Sequence, residues 1–537
     1  MKIAVINTGG TISCAGTPLS PMSAQDFATA CSDLINPILL QNYTNLSIHY
    51  VTDLPFPESS SGTLDSTNLQ PTDWCLVAAY ILNHYAEFDG WILLHGTDSM
   101  DFTGTALPFL LSSFDSTGNQ TAVLSKPIVI TGSQMPMFYR PSLSQPPISL
   151  IYNTDAFQNF CGAVAMAQSG IPEVCVYFQN HLYRGNRVVK SNASEFDAFS
   201  SPNYPALAEY GVELVVKNNN ILPPPVHHSV SLDNPTVRQN AIAQLVYIAA
   251  NINRFPVMQF TAFPAWYSFP GDPSASSPCA GLIANLLNAS VGQGIKGLIL
   301  QSYGEGNFPS GNPDNPSKGA TYNALKQAND SAVVIVDCTQ VNSGVVNNNA
   351  YAAGAWLPSV GALSPADMTP MAAFAKLMVL LASADYNSWT GADVKRLMQL
   401  NLLGEMIDVS RLDSRASAVL LPGQSLTTLD GSATLVNDPQ LGPMLIDSAN
   451  NSLWTPLPSP STTDMPGRLI MQNDGNLVYY SRNNAAIWAS NTSVSSGASS
   501  MLVLNGSTNP QSIYGALSLS VYSYSANETT ARLYAAQ

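Results

Sequence analysis

Short apolar runs alternate with longer helical patterns in the first part of the chain. The runs are rich in β-branched or aromatic residues: Ile3–Ile6, Trp91–Leu94, Pro127–Thr131 and Val174–Phe178. Trp74–Tyr85 instead has apolar residues at helical spacing. Strands that alternate with helices are typical of an α/β fold around a mostly parallel sheet. We therefore predict a larger N-terminal α/β domain over residues 1–210.

A second, smaller α/β domain is predicted over residues 236–412. The proline run 223–225 can continue neither a helix nor a central strand, so residues 211–235 are predicted to be a linker. Beyond this linker the alternation resumes, with two apolar runs and two helical patterns: Gly297–Leu300, Val333–Val336, Thr321–Asn329 and Met371–Ser383.

The pattern changes again near Ala416. From there to the C-terminus, short alternating segments are separated by Gly, Asn, Asp, Ser and Pro. Closely spaced strands with regular turn signals predict an all-β prism, barrel or sandwich. Residues 416–537 are therefore predicted to form a third domain.

Composition narrows the class of protein. Of the 537 residues, 45% are hydrophobic and 10% are charged, as expected for a globular protein. The net charge of −15 and the lack of a Lys/Arg-rich run argue against nucleic acid or an anionic membrane as partner. The sequence shows neither a basic, apolar export signal nor an apolar run long enough for a membrane span.

The cysteines point to a reducing compartment. Their number, seven, is odd, and none of them forms a CxxC pair. This pattern favours free thiols over a disulfide framework or a zinc site. We expect a cytoplasmic protein without a metal.

Candidate chemistry begins where the first apolar run ends, at Thr8-Gly9-Gly10-Thr11-Ile12. Two glycines at the carboxyl end of a strand let main-chain N–H groups approach a ligand. Thr11 can act there as a nucleophile if a nearby base activates its hydroxyl. The same motif is also typical of a tight strand-to-helix turn with a capping threonine.

Two further segments carry polar groups. The segment His95-Gly96-Thr97-Asp98 follows an apolar run and places a hydroxyl beside a carboxylate at the end of a strand. The same residues are equally typical of a helix N-cap, with His95 buried in the core. Lys190 taken alone is typical of a solvated surface charge. Together, a threonine, a lysine and an aspartate can form a triad in which the lysine takes the proton and the carboxylate holds the ammonium.

Over residues 1–410 the chain resembles the bacterial type I (cytoplasmic) L-asparaginase family. The motifs quoted above support this resemblance, and four further segments agree with it: Lys126–Gln134, Phe196–Asn203, Ser302–Asn307 and Ala366–Thr369. The resemblance implies hydrolysis of L-asparagine to aspartate and ammonia through a threonine ester, without a cofactor, in a homodimer or homotetramer. It makes Thr11 the nucleophile beside a second array of Thr97, Asp98 and Lys190.

The resemblance also implies the residues that bind the substrate: Gly10, Asp65, Ser66, Thr67, Thr97, Asp98 and Asn307. Two departures from the family pattern are visible. The family has a tyrosine in the loop after its first threonine, whereas residues 13–21 contain none. The positions aligned with the family's allosteric asparagine site are Val189, Gln301 and Val341, so we predict no activation there; a sigmoidal rate curve abolished by mutating Gln301 would contradict this.

Three readings of the function remain open at this point. The first is an active asparaginase with an appended module. The second is an inactive amidohydrolase body that serves as a binding protein, and the third is an amidohydrolase for glutamine or a larger amide.

The C-terminal region resembles the bulb-type mannose-binding lectin family, whose site is Gln-x-Asp-x-Asn-x-Val-x-Tyr. The matching residues are Gln472, Asp474, Asn476, Val478 and Tyr480, predicted to project from one face of a strand. The resemblance implies a β-prism that binds mannose-containing glycans. A solvated strand face has the same pattern.

Overall fold

The computed structural model describes residues 1–141, 145–147, 149–267, 281–348, 350–415, 418–493, 499–524, 526 and 528–536. The chain divides into two compact units. The first comprises Met1–Met398 with Leu402–Met406, and the second comprises Gln399–Asn401 with Ile407–Gln537.

The first unit contains a mixed eight-stranded sheet. In spatial order its strands are Ser47–Val51, Lys2–Asn7, Gly90–Leu94, Ile128–Thr131, Val174–Phe178, His181–Arg184, Ala208–Tyr210 and Leu214–Val216. Neighbours are parallel from the first of these to Val174–Phe178, and antiparallel from there on. The helices of this region are Ala24–Leu34, Asn36–Asn42, Pro71–Asn83, Met100–Leu110 and Ala156–Ala167. The sheet thus extends to Val216, inside the segment predicted as a linker.

A smaller parallel sheet follows in the same unit. Its strands, in spatial order, are Val257–Thr261, Gly297–Ser302, Val334–Thr339 and Ala362–Leu363. The helices of this part are Pro235–Asn251, Leu282–Gly292, Ala320–Asp330, Pro370–Ser383 and Gly391–Met398. The predicted pair of α/β domains with a mostly parallel sheet is confirmed.

Local sequence explains these elements. Gly90–Leu94 is buried at every position, because helices cover both faces of the sheet, and this is why the strand appears as an unbroken apolar run. The helix Pro370–Ser383 begins where Thr369 accepts a hydrogen bond from the N–H of Ala372, with proline at the first helical position.

The described residues of the first unit also form four short antiparallel pairs. They are Cys14–Ala15 with Ser20–Pro21, Ser113–Phe114 with Gln120–Ala122, Phe138–Tyr139 with Ser149–Leu150, and Val189–Lys190 with Phe199–Ser200. In the last pair, Lys190 lies opposite Phe199.

The second unit is built from antiparallel β-sheets. Three of its sheets have four strands each: Arg411–Asp413, Ser500–Asn505, Ser518–Ser523 and Glu528–Ala535; Val419–Leu420, Arg468–Met471, Leu477–Tyr480 and Ala486–Ala489; and Ser425–Thr427, Ala433–Asp438, Gly442–Asp447 and Ser452–Trp454. Side chains from all three sheets, such as Leu435, Leu469 and Leu519, share one apolar core. The predicted all-β region is confirmed, and its first strand begins at Arg411.

One prediction about this region is wrong. Gln472, Asp474 and Asn476 do not lie on the strand that carries Val478 and Tyr480, because that strand begins only at Leu477. The preceding residues form a turn in which the N–H of Gln472 donates to the carbonyl of Asn476 and Asp474 accepts from the N–H of Asn476. An Asp-Gly step favours such a turn, and here it overrides the alternating pattern.

Candidate active site

Thr11 lies where three chain segments meet. Gly9 and Gly10, at the end of the first strand, have φ angles of 122° and 76°. A side chain on Gly9 would overlap the main chain of Leu64, and one on Gly10 would overlap the main chain of Gly96. The N–H of Gly10 donates to the carbonyl of Leu64 at 3.1 Å. Glycine is therefore required at both positions, and Thr11 opens the following 3₁₀ turn.

The Asp65–Thr67 segment is folded as a capped turn. One carboxylate oxygen of Asp65 accepts from the main-chain N–H of Thr67 at 3.0 Å and from its hydroxyl at 2.9 Å. Ser66 is buried, and its carbonyl accepts from the hydroxyl of Ser99 at 2.7 Å. This segment therefore packs against the loop that carries Thr97 and Asp98.

Lys190 joins Thr97 to Asp98. Its Nζ lies 2.8 Å from Oγ1 of Thr97 and 2.6 Å from Oδ1 of Asp98. The lysine side chain is 19% exposed and that of Asp98 is 55% exposed, so the pair faces a partly open space. A lysine held between a hydroxyl and a carboxylate can exchange a proton with the hydroxyl while the carboxylate stabilises the ammonium.

Asp101 supports the main chain of Lys190. Its Oδ2 accepts from the N–H of Lys190 at 3.3 Å. Burial raises the pKa of Asp101 to about 6, against the lowering effect of main-chain hydrogen bonds from Lys190 and Phe102. Its position in the sequence carries no functional signal, because an acidic residue is common in the first turn of a helix.

Gln134 is a second contact without a role predicted from sequence. Its Oε1 lies 3.5 Å from Oγ1 of Thr97, and its Nε2 donates to the carbonyl of Glu195 at 3.2 Å. The N–H of Gln134 donates to Asp155 at 2.9 Å. Its position could have indicated the contact, since Gln134 follows the strand Ile128–Thr131 at the same edge of the sheet as Thr97.

His95 is a core residue, as one of our two interpretations expected. It is fully buried, its Nδ1 lies 2.6 Å from the carbonyl of Gly96, and its Nε2 lies 2.9 Å from the hydroxyl of Thr103. The indole of Trp74 donates to the same hydroxyl at 2.9 Å. Burial lowers the pKa of His95 to about 4, so the ring is neutral near pH 7.

Asn307 lies in the smaller α/β domain, and its main-chain hydrogen bonds stay within its own turn. Its N–H donates to the carbonyl of Tyr303 at 2.8 Å, and its carbonyl accepts from the N–H of Tyr303 at 2.9 Å. No hydrogen bond in the described part of the chain joins Asn307 to Thr97 or Asp98. Its role at the substrate stays a prediction.

The segment without a tyrosine forms a small hairpin. Cys14–Ala15 pairs with Ser20–Pro21, and the thiol of Cys14 donates to the carbonyl of Gly10 at 3.1 Å. Three residues stand at the positions aligned with the family's allosteric asparagine site. Val189 is buried, Val341 is exposed, and the side-chain oxygen of Gln301 accepts a hydrogen bond from the hydroxyl of Thr261 at 3.0 Å. The absence of activation by asparagine stays a prediction.

In the second unit the predicted sugar-binding residues make local hydrogen bonds. The amide of Gln472 donates to the hydroxyl of Tyr480 at 2.8 Å. Asn476 accepts from Ser490 at 3.1 Å, and Val478 is buried. Gln472 and Tyr480 are thus brought together although they lie on a turn and a strand.

Two further properties concern the described residues as a whole. They contain no group of three or more His, Cys, Asp or Glu side chains that could hold a metal ion. None of their helices is long and apolar enough to span a bilayer.

Comparison with known proteins identifies the first unit. Residues 2–222 match the family described as "Asparaginase, N-terminal", and residues 278–397 match the "Glutaminase/Asparaginase C-terminal domain". L-asparaginase 1 of Escherichia coli K12 is 33% identical over 344 residues, which cover 64% of this chain and 82% of that protein. The chain belongs to the asparaginase family. Its family membership supports amidohydrolase activity.

Two other similarities add to this result. The 60 kDa lysophospholipase of Mus musculus is 31% identical over 343 residues, which cover 64% of this chain and 49% of that protein. The crystal structure of L-asparaginase I from Vibrio cholerae superposes with a TM-score of 0.51 at 28% identity, covering 76% of this chain and 99% of that chain. Relatives thus carry more than one activity name.

Proposed function

We propose that this asparaginase-family protein hydrolyses the side-chain amide of L-asparagine to L-aspartate and ammonia. The observation that supports this most directly is the position of Lys190, whose ammonium contacts both Thr97 and Asp98. The close contact between Gly10 and Gly96 brings the Thr11 turn to the same place. In this proposal both threonines belong to one site.

In the proposed reaction, the Thr11 hydroxyl oxygen attacks the amide carbon of the substrate. Its proton passes to the departing nitrogen, ammonia leaves, and an aspartyl ester of Thr11 remains. Backbone and side-chain N–H donors stabilise the negative oxygen that forms during attack. Water, activated by Thr97 and Lys190, then cleaves the ester and restores the hydroxyl.

Substrate recognition uses the Asp65–Thr67 turn and the adjacent loop that carries Asp98. In this proposal Ser66 and Thr67 bind the α-carboxylate, Asp65 holds their turn, and Asp98 binds the α-amino group. Asn307 completes the pocket. Length of the pocket decides between asparagine and glutamine, since one methylene contributes only about 1–3 kcal/mol of discrimination.

Ammonia release tests the proposal. Purified protein is given asparagine or glutamine, and Thr11→Ala and Lys190→Met are compared with the unchanged chain. We expect each substitution to lower the rate about 10²-fold or more, because each removes a group that acts in the transition state. Full activity of Thr11→Ala would exclude this nucleophile. No release from either amide would favour the inactive, binding-protein alternative.

We also propose that the second unit is a threefold β-prism that binds mannose-type sugars. Three four-stranded sheets around one core support the prism, and the Gln472–Tyr480 contact supports a polar site. Retention on a mannose resin tests this. Asp474→Ala should abolish retention and Asp447→Ala should not, because Asp447 caps a comparable turn on another sheet.

A cytoplasmic location and a homodimer or homotetramer stay predictions.

A further inference from the structure

Asp337 is a buried carboxyl group in the smaller α/β domain. It lies within the strand Val334–Thr339 and is 0% exposed. One oxygen accepts a hydrogen bond from the hydroxyl of Ser302, and the other accepts from the amide of Asn348 at 2.6 Å. Across the described residues no salt bridge reaches this carboxyl. Burying an ionised carboxyl group without a cationic partner costs free energy, so the presence of Asp337 and its two hydrogen bonds needs a physical explanation.

The Tyr303–Asn307 turn rests on this carboxyl. Ser302 is the last residue of its strand, and the two main-chain hydrogen bonds between Tyr303 and Asn307 close the turn directly after it. Gly306 has a φ of 102°, and a Cβ there would lie 2.7 Å from Oδ2 of Asp337. The carboxyl therefore contacts the turn from beneath at Gly306.

The second partner of Asp337 belongs to a segment that holds the same turn from its other side. The N–H of Asn347, next to Asn348, donates to the carbonyl of Glu305 at 2.9 Å. Gly354 lies so close that a Cβ there would be 2.8 Å from the carbonyl of Gly306 and 3.3 Å from the side-chain oxygen of Asn307. Asp337 thus links the start of the turn to the segment packed against its end.

We propose that Asp337 is a positioning residue, which through Ser302 and Asn348 fixes the Tyr303–Asn307 turn and so places Asn307 at the substrate. This inference rests on the proposed function, in which Asn307 completes the pocket. Asp337 itself does not touch the substrate. Because Thr11, Thr97 and Lys190 lie in the other α/β domain, loss of Asp337 should weaken substrate binding more than the chemical step.

Steady-state kinetics with asparagine tests the role of Asp337. We expect Asp337→Ala to raise KM about tenfold or more while kcat per folded protein changes less than about threefold. Asp337→Asn should recover most of the affinity, because its amide oxygen still accepts from Ser302 and the Asn348 amide can turn over to accept from the new N–H. Asn348→Ala removes one partner of Asp337 and should raise KM by a smaller factor. This variant replaces Asp337→Ala in the test if Asp337→Ala does not fold.

Thr369→Ala is the matched control. It removes the cap of the helix Pro370–Ser383 in the same domain without touching the turn, so it should lower stability and leave KM unchanged. An unchanged KM in Asp337→Ala and Asn348→Ala overturns the inference, as does an equal rise in Thr369→Ala. These results are distinguishable from failure of the proposed function, in which the unchanged chain itself releases no ammonia.

Discussion

Replacing Asp337 by asparagine should change how the stability of the protein depends on pH. Burial raises the pKa of this carboxyl from 3.8 to about 7, against the lowering effect of hydrogen bonds from Ser302 and Asn348. The neighbouring thiol of Cys338 has its pKa raised well above its ordinary value, chiefly by burial, so it does not ionise in this range. Asp337 is then the titrating group in this cluster between pH 4 and pH 8.

The sign of the effect follows from linkage. The unfolded chain loses the Asp337 proton near pH 4, whereas the folded protein keeps it until about pH 7. As pH rises through this window, the folded state is therefore destabilised relative to the unfolded state. A shift of about three pKa units corresponds to about 4 kcal/mol as an upper bound. Asparagine does not titrate, so the Asp337→Asn protein should not suffer this loss.

Urea unfolding at pH 4, 5, 6, 7 and 8 measures the difference between the two proteins. All other titrating groups are common to both, so their contributions cancel when the free energies of unfolding are subtracted. We expect the difference to move in favour of Asp337→Asn by up to about 4 kcal/mol from pH 4 to pH 8, with most of the change below pH 7. A difference that stays constant across the series would refute the raised pKa of Asp337. It would also refute the buried environment without a cation from which that pKa follows.

Two further predictions concern backbone and core. Gly10→Ala should abolish ammonia release, because its side chain would overlap the main chain of Gly96, whereas Gly294→Ala, also at positive φ but with open space around it, should cost only about 1 kcal/mol of stability and leave the rate unchanged. Lys376→Met should lower the free energy of unfolding by about 3–5 kcal/mol, because it leaves fully buried Glu405 without the ammonium 2.6 Å away. The double substitution with Glu405→Gln should recover part of that loss in the same urea assay, because it removes the buried charge and keeps an acceptor for the main-chain N–H groups of Leu402 and Leu403.

Local patterns predicted the sheets well where burial is continuous. Gly90–Leu94 and Val174–Phe178 are buried on both faces, so the run of apolar residues is itself the signal of a central parallel strand. The glycine pair 9–10 was informative for a similar reason, since a left-handed main chain and close packing leave few alternatives.

Contacts between distant segments were not predictable in this way. Asp337 meets Ser302 through the register of two paired strands, and Asn348 reaches it from a later loop, so no short stretch of sequence contains the cluster. The residues 472–476 show the opposite failure. An alternating pattern predicted a strand there, although Gly475, at φ 86°, marks the turn that the chain makes.

The position of Lys190 depends on both α/β domains. The segment just before it is anchored by Arg187, a fully buried side chain that donates to Asp367 at 2.7 Å and to the carbonyl of Gly404 at 2.6 Å. Both partners lie some two hundred positions further along the chain. The segment that carries the ammonium is therefore anchored by the smaller domain, because removing Asp367 would leave the buried guanidinium without its counter-charge. A lysine that alone indicates a solvated surface thus contacts Thr97 and Asp98.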